Sequence, residues 1–286
     1  MVENIKMVNN TEIMIHVEIG LNHNGSLTTA KKLIEMAKSC GVKIVKFQKR
    51  DIDVCIPDHL KNKIRNTPWG EMAYHEYKKR MEFDENEYDV IDAYCKELGI
   101  EWFASAWDIS SLEFLKKYDC PYNKVASAMI TNLPLLHEIA KEGKKTFIST
   151  AMCDMNDIRR AVEIFKENLC PFVLMHCVGI YPTPNNRLNL NMIPRLAKEF
   201  GCEVGFSDHS AGILPPIVAA TLGATVIEKH ITLDRAMQGS DHASSLERHG
   251  LELMVRNLRD LPSFYGDGKK ELLGRESKKL SDLKYW

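Results

Sequence analysis

Short apolar runs rich in β-branched and aromatic residues alternate along this chain with longer stretches whose apolar positions recur every three or four residues. The runs at 13–19, 43–48, 100–105, 123–127, 145–150, 171–177, 202–207 and 225–230 read as strands. Between them the spacing turns helical. Leu27, Ala30, Leu33, Ile34 and Ala37 share one face, with Lys31, Lys32 and Glu35 elsewhere. Asp154 stands as an N-cap before Ile158, Ala161, Val162 and Phe165, and Asn132 starts another helix with Pro134 in its first turn. Eight strands with intervening helices predict an α/β fold, a single-domain (β/α)8 TIM barrel over 1–264. Residues 49–83, mixed in character and too long for a simple loop, read as an excursion over the barrel mouth. Residues 265–286 read as a polar tail.

In such a barrel the carboxyl ends of the strands converge on one mouth, so the polar groups ending the apolar runs are the candidates for a site. They are Glu18 with Asn22 and His23, Lys46 and Gln48, Ser105, Lys124 and Ser127, Ser149 and Thr150, His176, Ser207 with Asp208 and His209, and Glu228 with His230. Two lysines flanked by apolar residues suit an anionic ligand. Two imidazoles ending successive strands, His209 and His230, suit a divalent metal, with neighbouring carboxylates as hydrogen-bond partners. Simpler roles exist for some. Glu18 and Glu228 could pair with Lys46 or Lys229, the two lysines could snorkel, and His176 reads as a hydrogen-bonded core histidine.

Composition narrows the partners. With 44% hydrophobic and 27% charged residues and a net charge of −1, the chain has no footprint for nucleic acid or an anionic membrane surface. Eight cysteines without a C-x-x-C pair argue for reduced thiols, and the polar N-terminus lacks a signal core, which together predict a cytoplasmic protein. No G-x-G-x-x-G or P-loop occurs, so nucleotide cofactors are disfavoured.

Several segments together resemble the sialic acid synthase family: Glu-Ile-Gly-Leu-Asn-His-Asn-Gly at 18–25, Val-Lys-Phe-Gln at 45–48, Ile-Tyr-Pro-Thr-Pro at 180–184, Gly-Phe-Ser-Asp-His-Ser at 205–210 and Glu-Lys-His-Ile-Thr-Leu-Asp at 228–234. Gly-Ser-Asp-His at 239–242 and Ser-Leu-Glu at 245–247 extend the match in register. The resemblance implies a barrel that condenses phosphoenolpyruvate with an open-chain amino-sugar aldehyde, with Mn2+ or Mg2+, giving a 2-keto-3-deoxy nonulosonic acid and phosphate. By similarity His209 and His230 hold the metal with Gln48 near, and Glu18 stabilises the cation developing at C2 or positions the water. Lys46, Lys124, Ser127 and Ser207 hold phosphate and carboxylate, Ser105, Ser149 and Tyr181 line the site, and Asp241 meets sugar hydroxyls. Glu18, Lys46, Lys124 and His209 are thus the expected catalytic set.

Three departures bear on the acceptor. Ala128-Met129 replaces the usual Gly-Glu, Gly179 replaces an asparagine, and the chain ends at Trp286 where family members usually carry an antifreeze-like domain. The tail, a partner protein or the second subunit of a homodimer would then cover the site. Alternatively the aldose is non-acetylated or shorter, or the barrel binds a sugar or phosphate without turnover.

Overall fold

The computed structural model describes residues 12–286. The polar N-terminal residues through Thr11, and with them the start of the 1–264 span, lie outside the described residues. Ten strands occur among those described: β1 Met14–Glu18, β2 Ile44–Lys49, β3 Ile64–Thr67, β4 Gly70–Ala73, β5 Glu101–Ala106, β6 Asn123–Val125, β7 Thr146–Ser149, β8 Phe172–Cys177, β9 Glu203–Asp208 and β10 Val226–His230. Eight close into a parallel barrel in the order β1-β10-β9-β8-β7-β6-β5-β2, and β3 and β4 form a separate antiparallel hairpin. This is the (β/α)8 architecture that the alternating pattern predicts. Each barrel strand falls within one residue of its predicted run, except that β6 stops two residues early at Val125 and Ser127 enters a 3-10 turn, Ser127–Met129.

The helices follow from local chemistry. Helix Leu27–Ser39 buries Ala30, Leu33, Ile34 and Ala37, and Ser26 caps it by accepting from the Thr29 N–H. Asp154 forms a capping box with Asp157 at the start of helix Met155–Glu167, and Asn132 accepts from the Leu135 N–H with Pro134 in the first turn of Leu133–Lys141. These apolar faces pack on outward-facing strand residues such as Val17, Val45, Val125, Ile148, Leu174 and Ile227, all fully buried. The second face of each strand is left for the barrel interior.

The segment between β2 and helix Glu85–Leu98 carries two short helical turns, the β3–β4 hairpin and helix Tyr74–Met81. Its residues Ile52, Cys55, Ile56, Tyr74 and Lys78 line a cavity beside the carboxyl ends of the strands. After helix Arg248–Tyr265 the chain forms one exposed helix, Gly274–Leu283. No helix among the described residues is long and apolar enough to cross a membrane.

Candidate active site

Strand alternation sends every second side chain inward, so Glu18 and His16, Lys46 and Gln48, and Glu228 and His230 come to one interior. Register does the rest. Glu18 stands beside Lys46 on one side and His230 on the other, and Ser207 stands beside Glu228. Lys46 Nζ lies 2.5 Å from Glu18 Oε2, and Gln48 Nε2 donates to Glu18 Oε1 at 2.6 Å. Across the barrel, Lys124 Nζ donates to Ser149 Oγ at 2.6 Å and to Glu228 Oε2 at 3.0 Å. Glu228 also accepts from His16 Nε2 at 2.7 Å and from Ser207 Oγ at 2.9 Å. The floor is thus a network of two lysines on two carboxylates, all nearly inaccessible to water.

Burial and partners push the two carboxyls apart. Burial raises Glu18 above the ordinary glutamate range, with Lys46 offsetting part of the effect. For Glu228 burial also opposes charge, but Lys124, Lys46 and the His16 hydrogen bond outweigh it and hold the group well below its ordinary value. Burial draws both lysines down. Glu18 and Glu228 overcome this at Lys46, whose pKa is raised, but not at Lys124, whose pKa is lowered. Such divergence separates a fixed counter-ion, Glu228, from a carboxyl able to exchange a proton, Glu18.

The two strand-end imidazoles form the opposite wall. Their centroids are 5.4 Å apart, and the Tyr181 ring stacks on His209 at 4.0 Å. His209 Nδ1 faces the Val178 carbonyl at 2.7 Å, which assigns the proton to Nδ1 and leaves Nε2 as an acceptor, here for the Tyr181 hydroxyl at 2.9 Å. His230 Nδ1 is buried without a hydrogen bond, 3.7 Å from Asp241 Oδ2, and burial lowers its pKa so the ring is neutral. Asp208 does not back His209, contrary to the expectation that the neighbouring carboxylates partner the two imidazoles. Neighbours on a strand point to opposite faces, so Asp208 meets Lys229 at 2.6 Å on the far side, and for the same reason Lys229 cannot reach Glu228. Among the described residues no group of three or more His, Cys, Asp or Glu side chains is arranged to hold a metal ion. Two neutral-capable imidazoles, one with an orphaned nitrogen, fit a cation that takes its remaining ligands from substrate and water.

Two adjoining cavities share Gln48, Trp107, Met152 and Tyr181. The inner one, about 80 Å³, is lined by Glu18, Lys46, Lys124, Ser105, Ser127, Ser149, Ser207, Glu228, His209 and His230, with Cys177 at its side. The outer one, about 390 Å³, adds Arg50, Lys78 and Asp241. The residues expected to act on substrate or metal therefore lie on one of the two, whereas Asn22, His23, Thr150, His176 and Asp208, also polar near strand ends, line neither. Ser127 also accepts from the Ala151 N–H at 3.1 Å, and Ser105 from Trp107 Nε1 at 3.2 Å. Ala128 lines the inner cavity while Met129 packs against the core. A Cβ on Gly179 would lie 3.0 Å from Met152 Cγ, so that methionine occupies the space beside it.

Other histidines are placed apart from the cavity. His176 Nε2 donates to the Leu188 carbonyl at 2.8 Å within the core, and His23 stacks on Phe83 at 4.1 Å, its pKa pushed down to about 3 by burial. His16 was absent from the candidates, although it precedes Glu18 by two residues and shares its face. Arg50 and Trp107 were missed as well, since neither ends a strand run. The Arg50 guanidinium stacks 3.8 Å from the Trp107 ring and donates to the Gln48 side-chain oxygen Oε1.

Comparison with known proteins agrees with this geometry. Residues 33–270 match the NeuB family. The N,N'-diacetyllegionaminic acid synthase of Campylobacter jejuni is 35% identical over 94% of this chain and 82% of its own. The human N-acetylneuraminate-9-phosphate synthase is 36% identical over 91% of this chain and 73% of its own. A sialic acid synthetase from Leptospira borgpetersenii, solved with citrate, superposes with a TM-score of 0.82 at 31% identity, covering 99% of this chain and 95% of that one. Matches of this extent, on a closed barrel with a charged and imidazole-walled mouth, mean that the chain belongs to the NeuB family and is an enzyme of the sialic acid synthase type.

Proposed function

We propose that the chain condenses phosphoenolpyruvate with the open-chain form of an amino-sugar aldose, releasing phosphate and forming a sialic acid-like nonulosonic acid. The observation that carries this reading is the buried pairing of Lys46 with Glu18 and of Lys124 with Glu228, facing two imidazoles across one small cavity. A small polyanion would take the remaining N–H donors of the lysines with Glu228 kept in place, while Ser127, Ser149 and Ser207 offer hydroxyls to its oxygens. The named relatives are synthases of N,N'-diacetyllegionaminic acid and of N-acetylneuraminate 9-phosphate, so one is named for a phosphorylated product and the other is not.

In the reaction, C3 of phosphoenolpyruvate bonds to the aldehyde carbon and positive charge develops at C2. Water adds to C2, the C2–O bond to phosphate breaks, and the 2-keto group forms. Glu18, with its raised pKa and its hydrogen bond from Gln48, holds the water at C2 and takes its proton. Glu228 keeps Lys124 charged without being consumed. His209 and His230 would hold a Mn2+ or Mg2+ ion, which when bound supplies Lewis-acid polarisation of the acceptor carbonyl. Asp241, at the outer edge, is placed to meet sugar hydroxyls. Eight free cysteines support a reducing, cytoplasmic setting.

The test is phosphate release from phosphoenolpyruvate with Mn2+ across a panel of aldoses and a no-acceptor control. Release dependent on an amino-sugar aldose is expected. Phosphoenolpyruvate binding without release against any aldose would favour a non-catalytic barrel.

A further inference from the structure

Beyond the inner cavity, the outer chamber carries two cations that the proposed condensation leaves unused. Lys78 projects into it from helix Tyr74–Met81, and Arg50 enters from the end of β2. Among the described residues neither forms an ion pair, whereas the adjacent Lys79 meets Asp53 at 3.2 Å. Lys78 leans only on the Tyr74 and Tyr77 rings, 5.4 Å from each centroid. Arg50 stacks on Trp107 and its Nε is buried with no hydrogen-bond partner. The carboxylates nearby are otherwise engaged. Glu82 accepts from the Arg50 backbone N–H at 2.9 Å, and Asp241 faces His230.

Two half-buried cations that touch no carboxylate, with Glu82 and Asp241 acting on them only at longer range, are costly unless a ligand provides the negative charge. Burial and the neighbouring Arg50 draw the Lys78 ammonium down to about 8, as expected of a lysine awaiting an anion. Because the two chambers share Gln48, Trp107, Met152 and Tyr181, one molecule can have its aldehyde at Tyr181 and His209 and its far end in the outer chamber. We infer that Arg50 and Lys78 form a subsite for a phosphate monoester at the distal end of the acceptor, so that the enzyme takes a phosphorylated aldose in preference to the neutral sugar. Lysine meets such a group as a compact point charge and arginine through its forked N–H donors. This inference rests on the condensation reading above.

The experiment compares N-acetylmannosamine with its 6-phosphate, with phosphoenolpyruvate and Mn2+, in the wild type, Lys78→Met and Lys78→Arg. The wild type should favour the phosphorylated sugar in kcat/KM by about tenfold or more, the effect of one charge-assisted hydrogen bond. Lys78→Met should collapse that ratio, through KM, and Lys78→Arg should largely keep it; thermal melts check that both variants fold. Equal or better use of the neutral sugar overturns the subsite while leaving the condensation intact. So does a Lys78→Met variant in which the KM for phosphoenolpyruvate rises instead, since the cations would then serve the inner chamber. If no aldose is turned over, the condensation reading fails, and calorimetry decides the subsite separately: the sugar phosphate must bind the wild type more tightly than Lys78→Met, and equal or absent binding refutes it.

Discussion

Replacing Glu228 by glutamine tests the charge logic of the barrel floor directly. The substitution keeps the shape but leaves Lys124, 3.0 Å away, and Lys46, 3.9 Å away, with Glu18 as the remaining carboxylate. Breaking a buried pair by removing one partner costs about 3–5 kcal/mol. A ceiling comes from the lysine itself, which can escape by losing its proton. From an unfolded pKa of about 10.4, doing so at pH 7 costs about 5 kcal/mol at most. For a chain of 286 residues that loss corresponds to a fall in Tm of about 5–8 °C. The pH dependence supplies the sign. In the variant the folded pKa of Lys124 is driven further below its unfolded value, so the unfolded chain binds more protons. Stability should therefore rise from neutral pH toward the ordinary lysine range more steeply than in the wild type, by at most about 1.4 kcal/mol per pH unit. Urea titrations at several pH values measure both quantities. A loss below about 1 kcal/mol with an unchanged pH slope would refute the view that Glu228 is the fixed counter-ion of the lysines.

Four further outcomes follow from the same geometry. Glu18→Gln should lower kcat by about a hundredfold or more while the KM for phosphoenolpyruvate changes little, as removal of a general base requires; a normal kcat with weakened binding contradicts that role. Because the Glu18 carboxyl is raised and acts ionised, the acid limb of kcat/KM should lie above the ordinary glutamate range, with rate lost as pH falls through it; a limb at or below about 4.3 sinks the assignment. His230→Ala should weaken Mn2+ binding, read by electron paramagnetic resonance, by more than about tenfold, the least expected when even an outer partner is lost; unaltered binding would remove His230 from the metal seat. Gly20→Ala places a Cβ 2.9 Å from Glu18 Oε1 at a backbone φ of +52°, so it should cost about 1–2 kcal/mol and, by displacing the carboxylate, cut kcat by about a hundredfold; a stable, fully active variant would show that the carboxylate tolerates the shift.

The barrel was legible because its two periodicities are clean: fully buried β runs and amphipathic helices, two of them with ordinary caps at Asn132 and Asp154. The inner cavity was legible for a related reason, since a polar residue ending an apolar run has few other places to go. What escaped was part of the pairing. Glu18 meets Lys46 and Glu228 lies 3.9 Å from the same lysine, as the sequence allowed, but Lys229 pairs with Asp208 instead, and only closure of the sheet brings Glu228 to Lys124 and His16, from strands distant in sequence. His16 carried a faint signal, its two-residue offset from Glu18, hidden by its position inside a strand. Arg50, Trp107 and Lys78 carried none, because their meeting depends on how the irregular segment after β2 lies against the β5 end, and no periodicity encodes that.

The contact between His16 and Glu228 spans 212 residues and joins the first barrel strand to the last. At about 5–20 residues per second of synthesis, His16 leaves the ribosome roughly 10–40 seconds before its carboxylate partner exists. During that interval Glu18, Lys46 and Lys124 have no sealed interior to occupy, and no shorter amino-terminal product contains a complete set of chemical groups. Activity in this protein is consequently all or nothing with respect to translation: a nascent chain truncated anywhere before β10 is a set of strands with unpaid charges, a substrate for chaperones and proteases instead of a slow enzyme.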